Sequence, residues 1–216
     1  MPDGQYSFYL HSDDRTDIAA MATISTISQP LRGEFIRTAA TAGAVVYQVD
    51  ARLPALIPVF FAGQLSAVRL CAVMALVSGT WSSLTGLPDE PENGEAALPV
   101  SPETEYQRRR YTLTLQNGRS GERVESVLTE ASSRLRGDLL RNLIITGLAL
   151  HTTAPELPRL LASMPVPPTS VSELQALVQQ MAGTADVSRA AVPDTPATSA
   201  VPVSGSDTRE IKKNMR

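Results

Sequence analysis

Two histidines, His11 and His151, stand far apart in a chain with a single cysteine, Cys71. Neither has a neighbouring cysteine, and nothing in the chain has zinc-ligand spacing. A glycine-rich phosphate loop ending in Lys-Ser or Lys-Thr is absent, as is a nucleophile elbow. No enzyme chemistry, cofactor or metal is therefore expected. His151 reads as a helix-end cap or solvated group, and Cys71 as a small buried hydrophobe in an apolar helical run. The chemistry left is hydrogen bonding and charge. Ser7, Tyr9 and His11 alternate with apolar residues, as do Thr112, Thr114 and Gln116. Gln can bond an adenine edge through two hydrogen bonds, and Thr can bond polar edges or touch a thymine methyl. Arg108, Arg109 and Arg110 lead into the second of these segments, and Gln29, Arg32, Arg134 and Arg136 lie near helix starts, where backbone amides attract phosphate.

The elements that must hold these residues come as a repeat. Residues 31–57 align without a gap to residues 135–161, an offset of 104. Leu31, Arg32, Gly33, Arg37, Gly43, Leu53, Pro54 and Leu56 meet Leu135, Arg136, Gly137, Arg141, Gly147, Leu157, Pro158 and Leu160. Upstream, Tyr6–His11 resembles Tyr111–Gln116, both with strand alternation that turns Phe8, Leu10, Leu113 and Leu115 inward. A turn follows each strand, then a helix over 16–27 with Ile18, Met21, Ile24 and Ile27 on one face, or over 122–132 with Val124, Val127 and Leu128. Ser28-Gln29 and Ser132-Ser133 offer N-caps for second helices over about 31–49 and 135–152, with Pro30 in the first turn. Gly43 and Gly147 are mid-helix, where glycine costs about 1 kcal/mol relative to alanine, so a shared glycine implies a close helix crossing.

Each unit is a strand and two helices, and a lone strand cannot hide its inner face. Two units can, by pairing their strands antiparallel over four helices. The expected fold is mainly α with a short β ribbon: tandem ribbon-helix-helix units with helical extensions, forming an intrachain pseudo-dimer. The organisation reads as a first unit at 5–82, a linker at 83–107, a second unit at 108–182, a disordered tether at 183–206 and a C-terminal docking helix at 207–216. Pairing between chains into a lattice remains open.

Composition agrees. With 43% hydrophobic residues but 5% aromatics, the core must rest on aliphatic side chains. The formal charge of -3 limits the long-range field but not a local basic surface. One thiol and no secretory signal suit a cytoplasmic protein. The apolar stretch from Leu53 to Val77 is interrupted by Pro54, Pro58, Gln64 and Arg69, so it reads as two packed helices with no membrane role.

A ribbon of this kind fits the DNA major groove. Its outward residues Ser7, Tyr9, His11, Thr112, Thr114 and Gln116 are the candidate base contacts. Gln29, Arg32, Arg108, Arg109, Arg110, Arg134 and Arg136 are the candidate phosphate contacts. Each residue alone has a plainer reading as a solvated face; the repeated pattern favours the DNA reading. At the other end of the chain, Ile211 and Met215 would share one helical face flanked by Lys212, Lys213 and Arg216, a partner-docking pattern.

Segments 41–57, 145–161, 170–181 and 207–216 resemble the ParR family of plasmid segregation adaptors, with nearly the whole chain resembling two fused copies. The resemblance implies binding to repeated parC-like sites on double-stranded DNA, self-association into a higher-order array there, and repression of the protein's own operon. It also implies capture of a ParM-like actin-family ATPase filament through Ile211, Lys212, Lys213 and Met215, in a bacterial, plasmid-associated cytoplasmic protein. The family is usually a homodimerising single unit, so the fusion leaves one C-terminal tail per DNA-reading pair. Two alternatives stand beside this reading: a relaxosome accessory or plain repressor with tandem units, and a helical interaction scaffold that binds no DNA.

Overall fold

A computed structural model describes residues 4–80 and 107–190. Strand β1 (Gln5–His11) is followed by α1 (Arg15–Ser25), α2 (Arg32–Val49), α3 (Leu53–Phe60) and α4 (Ala67–Ser78). The second unit repeats the order: β2 (Arg108–Thr114), α5 (Arg119–Glu130), α6 (Arg136–Thr153), α7 (Leu157–Ser163) and α8 (Val171–Ala190). The chain is mainly helical with one antiparallel two-stranded ribbon, built from tandem units.

The ribbon forms within the chain. Phe8 pairs with Tyr111 at its middle, Gln5 with Thr114 at one end and His11 with Arg108 at the other. Alternation sets its two faces as the sequence implies. Phe8 and Leu10 are fully buried, and Leu113 and Leu115 nearly so, while Thr112, Thr114 and Gln116 are exposed. Phe8 stacks on Tyr111 at 5.2 Å between ring centroids, tying the strands on their inner side.

Beneath the ribbon, α2 and α6 cross at the two repeated glycines. A Cβ at Gly43 would run into the Leu143 carbonyl, and one at Gly147 into the Ala39 carbonyl. Residues 39 and 143 are equivalent at the repeat offset, so the contact is reciprocal, as a two-fold axis requires. The expected close crossing is thus present, at backbone-to-backbone distance.

The two units interlock. Helix α3 packs on α6 and α7 on α2; α5 packs on α2 and α1 on α6; α6 lies under β1 and α2 under β2; α4 meets α8. Leu53, Ile57, Leu157 and Leu161 are buried from α3 and α7, each helix opened by a proline in its first turn. Cys71 is buried in α4, where burial pushes its thiol pKa up against a hydrogen bond with Gln179 of α8. No helix among the described residues is long and apolar enough to cross a membrane.

Several boundaries differ from the sequence reading. Pro30 sits in a separate 3-10 turn at Gln29–Leu31, since its fixed φ suits a tight turn as well as a helix start. Neither Ser28-Gln29 nor Ser132-Ser133 caps a long helix: Leu31 and Leu135 precede α2 and α6 without any side-chain cap. On α1, Ile24 is buried together with Asp17, Ala19 and Ala20, while Ile18 and Met21 are half-buried; Ile27, also half-buried, lies past the end of the helix. Strand β2 begins at Arg108, so the arginine run is part of the ribbon. Helix α8 continues to Ala190, into the range assigned to the tether, because proline-free residues 182–190 include several good helix formers. Gln107, assigned to the linker, closes the ribbon through Ser12: the Ser12 amide donates to the Gln107 carbonyl at 3.0 Å, and the Gln107 amide to Ser12 Oγ at 2.8 Å. The rest of the linker, the remainder of the tether and the docking helix with Ile211, Lys212, Lys213 and Met215 lie outside the described residues.

Candidate nucleic-acid interface

The outer face of the ribbon collects all six residues proposed for base contact. Ser7, Tyr9 and His11 project from β1 and are half-buried. Thr112 and Thr114 project from β2, and Gln116 lies just past its end. Strand parity adds Gln5, Arg108 and Arg110 to this face, because they alternate in step with Ser7 and Thr112. Arg110 donates from Nε and Nη2 to Ser7 Oγ across the ribbon, at 3.2 and 2.9 Å. The Arg108 guanidinium lies 3.5 Å over the Tyr9 ring, a cation–π contact that fixes its plane. Arg109 has the opposite parity and sits 5.3 Å from the Tyr111 ring. Extending the alternation back from Thr112 would have found the place of Arg108 and Arg110 on this face; a strand begun at Tyr111 hid it.

The other proposed phosphate ligands divide. Gln29 and Arg134 are exposed beside the starts of α2 and α6. Arg32 and Arg136 are half-buried and turned back on the preceding helix. Arg32 donates from Nε to the Ile27 carbonyl at 2.7 Å and from Nη2 to the Ser25 carbonyl at 3.2 Å. Arg136 donates from Nε to the equivalent Ala131 carbonyl at 3.2 Å. A guanidinium at a helix C-terminus satisfies carbonyls that the helix leaves open and meets the negative end of its dipole. These two arginines therefore brace the helix–helix turn, and each has hydrogens left over for a phosphate. Their charge also reaches the strands. Burial pushes the Tyr111 hydroxyl pKa up against the pull of Arg109 and Arg32. Burial, helped by Glu125, does the same to Tyr6 against Arg136.

A cleft of about 600 Å³ opens at the His11 end of the ribbon, between β1 and the start of α6. Tyr9, His11 and Arg108 line one side, and Arg134, Asp138 and Arg141 the other. Asp17, fully buried, lies at this cleft. It accepts from the His11 amide at 2.9 Å and from Arg141 Nε at 2.6 Å, while Arg141 Nη2 reaches Asp14 at 3.1 Å. Burial raises the Asp17 pKa, opposed by the Arg141 hydrogen bond and the His11 amide. The pair joins α1 of one unit to α6 of the other and has no counterpart among the described residues. Counting from the start of each first helix, the position equivalent to Asp17 is Gly121. Sequence reading missed this pair, because the repeat pattern holds no acid at the second position to signal it.

The family model described as plasmid stability protein matches residues 4–74 and again 109–178, together more than half of the chain. The comparisons with curated proteins and with solved structures return no significant match. The two matched segments coincide with the two strand-and-helices units, so the chain belongs to the plasmid stability protein family and carries its domain in tandem.

Proposed function

We propose that this protein is a non-enzymatic DNA-binding adaptor for plasmid partition. It binds repeated centromere-like sites through its β ribbon, assembles on them into an array, and represses its own operon. Its C-terminal segment, through Ile211, Lys212, Lys213 and Met215, captures a ParM-like actin-family filament. The observation that carries the reading is the ribbon's outer face. It presents Ser7, Tyr9, His11, Arg108, Arg110, Thr112 and Thr114 on a two-stranded element backed by four interlocked helices. A ribbon of that size enters the major groove, where such side chains can bond base edges. Gln29, Arg109 and Arg134 supply flanking phosphate contacts, with Arg32 and Arg136 as partial ones. Membership of the plasmid stability family supports a role in plasmid maintenance.

The test is a footprint of the purified protein on the DNA flanking its own gene. Periodic protection over direct repeats is the expected result. One short protected site would point to a repressor or relaxosome accessory. No protection at low salt by folded protein would remove the DNA reading and favour the scaffold.

A further inference from the structure

Aligning the strand repeats, Tyr6–His11 with Tyr111–Gln116, places the pseudo-two-fold axis between Ser7 and Thr112, one step from the register's central pair, Phe8 and Tyr111. Across this axis the inner faces match: Tyr6 with Tyr111, Phe8 with Leu113, Leu10 with Leu115. The outer faces do not. Tyr9 is related to Thr114, His11 to Gln116, and Gln5 to Arg110. One end of the ribbon therefore carries Tyr9, His11, Arg108 and Arg110, and the other carries Gln5, Thr114 and Gln116. A homodimer would show the same side chains at both ends; this single chain cannot.

We propose that the ribbon reads a non-palindromic DNA site, with guanine at the Arg108–Arg110 end and adenine or thymine at the Gln5–Gln116 end. The proposal rests on the DNA-binding reading above and assigns its specificity. Arginine bonds guanine O6 and N7 with two parallel donors, and glutamine bonds adenine N6 and N7. Both arginines are held in place before any DNA arrives. Arg110 uses two of its five N–H donors on Ser7 Oγ, which leaves three for a base edge. Arg108 is stacked on Tyr9, so its plane is set while its rim of donors stays available. A guanidinium already positioned loses less freedom on binding, and this sharpens selection of a base that accepts two bonds. At the opposite end, Thr114 and Gln116 are exposed neutral groups suited to A·T pairs. A site with unlike halves has a direction. Proteins bound to direct repeats would then all face one way, and every C-terminal segment would leave the array in the same sense.

The experiment is selection of binding sequences from a random duplex pool by the full-length protein, repeated with Arg110→Ala and with a Thr114→Ala, Gln116→Ala double variant. All three residues are exposed, and circular dichroism checks that each variant folds. The expected consensus is non-palindromic. Arg110→Ala should lose about ten-fold in discrimination at the guanine end alone, and the double variant a similar factor at the other end alone. A palindromic consensus, or variants that relax both ends equally, would overturn the directional site while leaving DNA binding standing. No enrichment over the starting pool, with folded protein at low salt, would overturn the DNA reading itself.

Discussion

At the scale of single residues, the two units differ at Asp17, where the second unit has Gly121. Its carboxylate is fully buried, yet it holds the His11 amide and Arg141 together at the edge of the ribbon. Burying the pair is itself unfavourable, but breaking it would strand a guanidinium and an amide. Asp17→Ala is expected to lower unfolding free energy by about 3 kcal/mol, the low end for a buried pair because Arg141 keeps Asp14. Urea denaturation measures this, and a loss well under 1 kcal/mol would mean that Arg141 is fully served by Asp14 and solvent. The raised pKa also has a sign. Between the ordinary value of 3.8 and the raised one, the folded state holds the proton more tightly than the unfolded chain. This group's contribution is therefore complete below that window and declines as pH rises through it. Asp17→Asn should remove that decline, seen as a flatter unfolding midpoint across the acid range; an unchanged slope would place the titration elsewhere.

At the scale of elements, the crossing of α2 and α6 decides the packing. Glycine inside a helix costs about 1 kcal/mol, so Gly43→Ala would stabilise an isolated helix. Here the new methyl meets the Leu143 backbone carbonyl, which cannot rotate away. Gly43→Ala and Gly147→Ala should each lose about 2 kcal/mol net, as overpacked cores do. Gly33→Ala is the control, since its Cβ would meet only the far end of the Arg37 side chain. Thermal unfolding separates them, and a neutral Gly43→Ala would show that the helices can move apart. The C-terminal segment follows a stretch rich in Ala, Pro, Ser, Thr and Val. Deleting 207–216 should leave DNA affinity unchanged and abolish plasmid partition. Unchanged plasmid loss after that deletion would end the filament-capture reading.

For the molecule as a whole, the interlocking means that neither unit completes a core alone. Each strand lies over the other unit's long helix, and each third helix packs across as well. Residues 1–82 expressed alone should not yield a folded monomer, but either an unfolded chain or a homodimer. In such a dimer, Arg37 would take the place of Arg141 beside Asp17. Sedimentation and circular dichroism together test this, and a compact helical monomer would contradict it. The fusion converts a concentration-dependent association into an intramolecular one, so the ribbon assembles at any dilution. It also frees the two strands to carry different outer residues, which identical chains could never do.

The repeat, strand alternation and helical periodicity were legible in the chain because they are local patterns. Phe8, Leu10, Leu113 and Leu115 declare their inward direction by spacing alone, and Gly43 with Gly147 announce a close approach. The outward row of Ser7, Tyr9, Thr112 and Thr114 followed from the same parity. What tertiary structure decided was everything that depends on a partner distant in sequence. Arg32 and Arg136 read as phosphate ligands by their place near helix starts, and only the fold shows that the Ile27 and Ala131 carbonyls also take part of each guanidinium. Arg108 and Arg110 read as a charged approach to the strand until the register placed them opposite His11 and Tyr9. The Asp17–Arg141 pair spans 124 positions, and nothing in either residue's neighbourhood marks the other. Pairing within one chain was likewise settled in three dimensions, because spacing names a strand's inner face without naming the strand that will lie beside it.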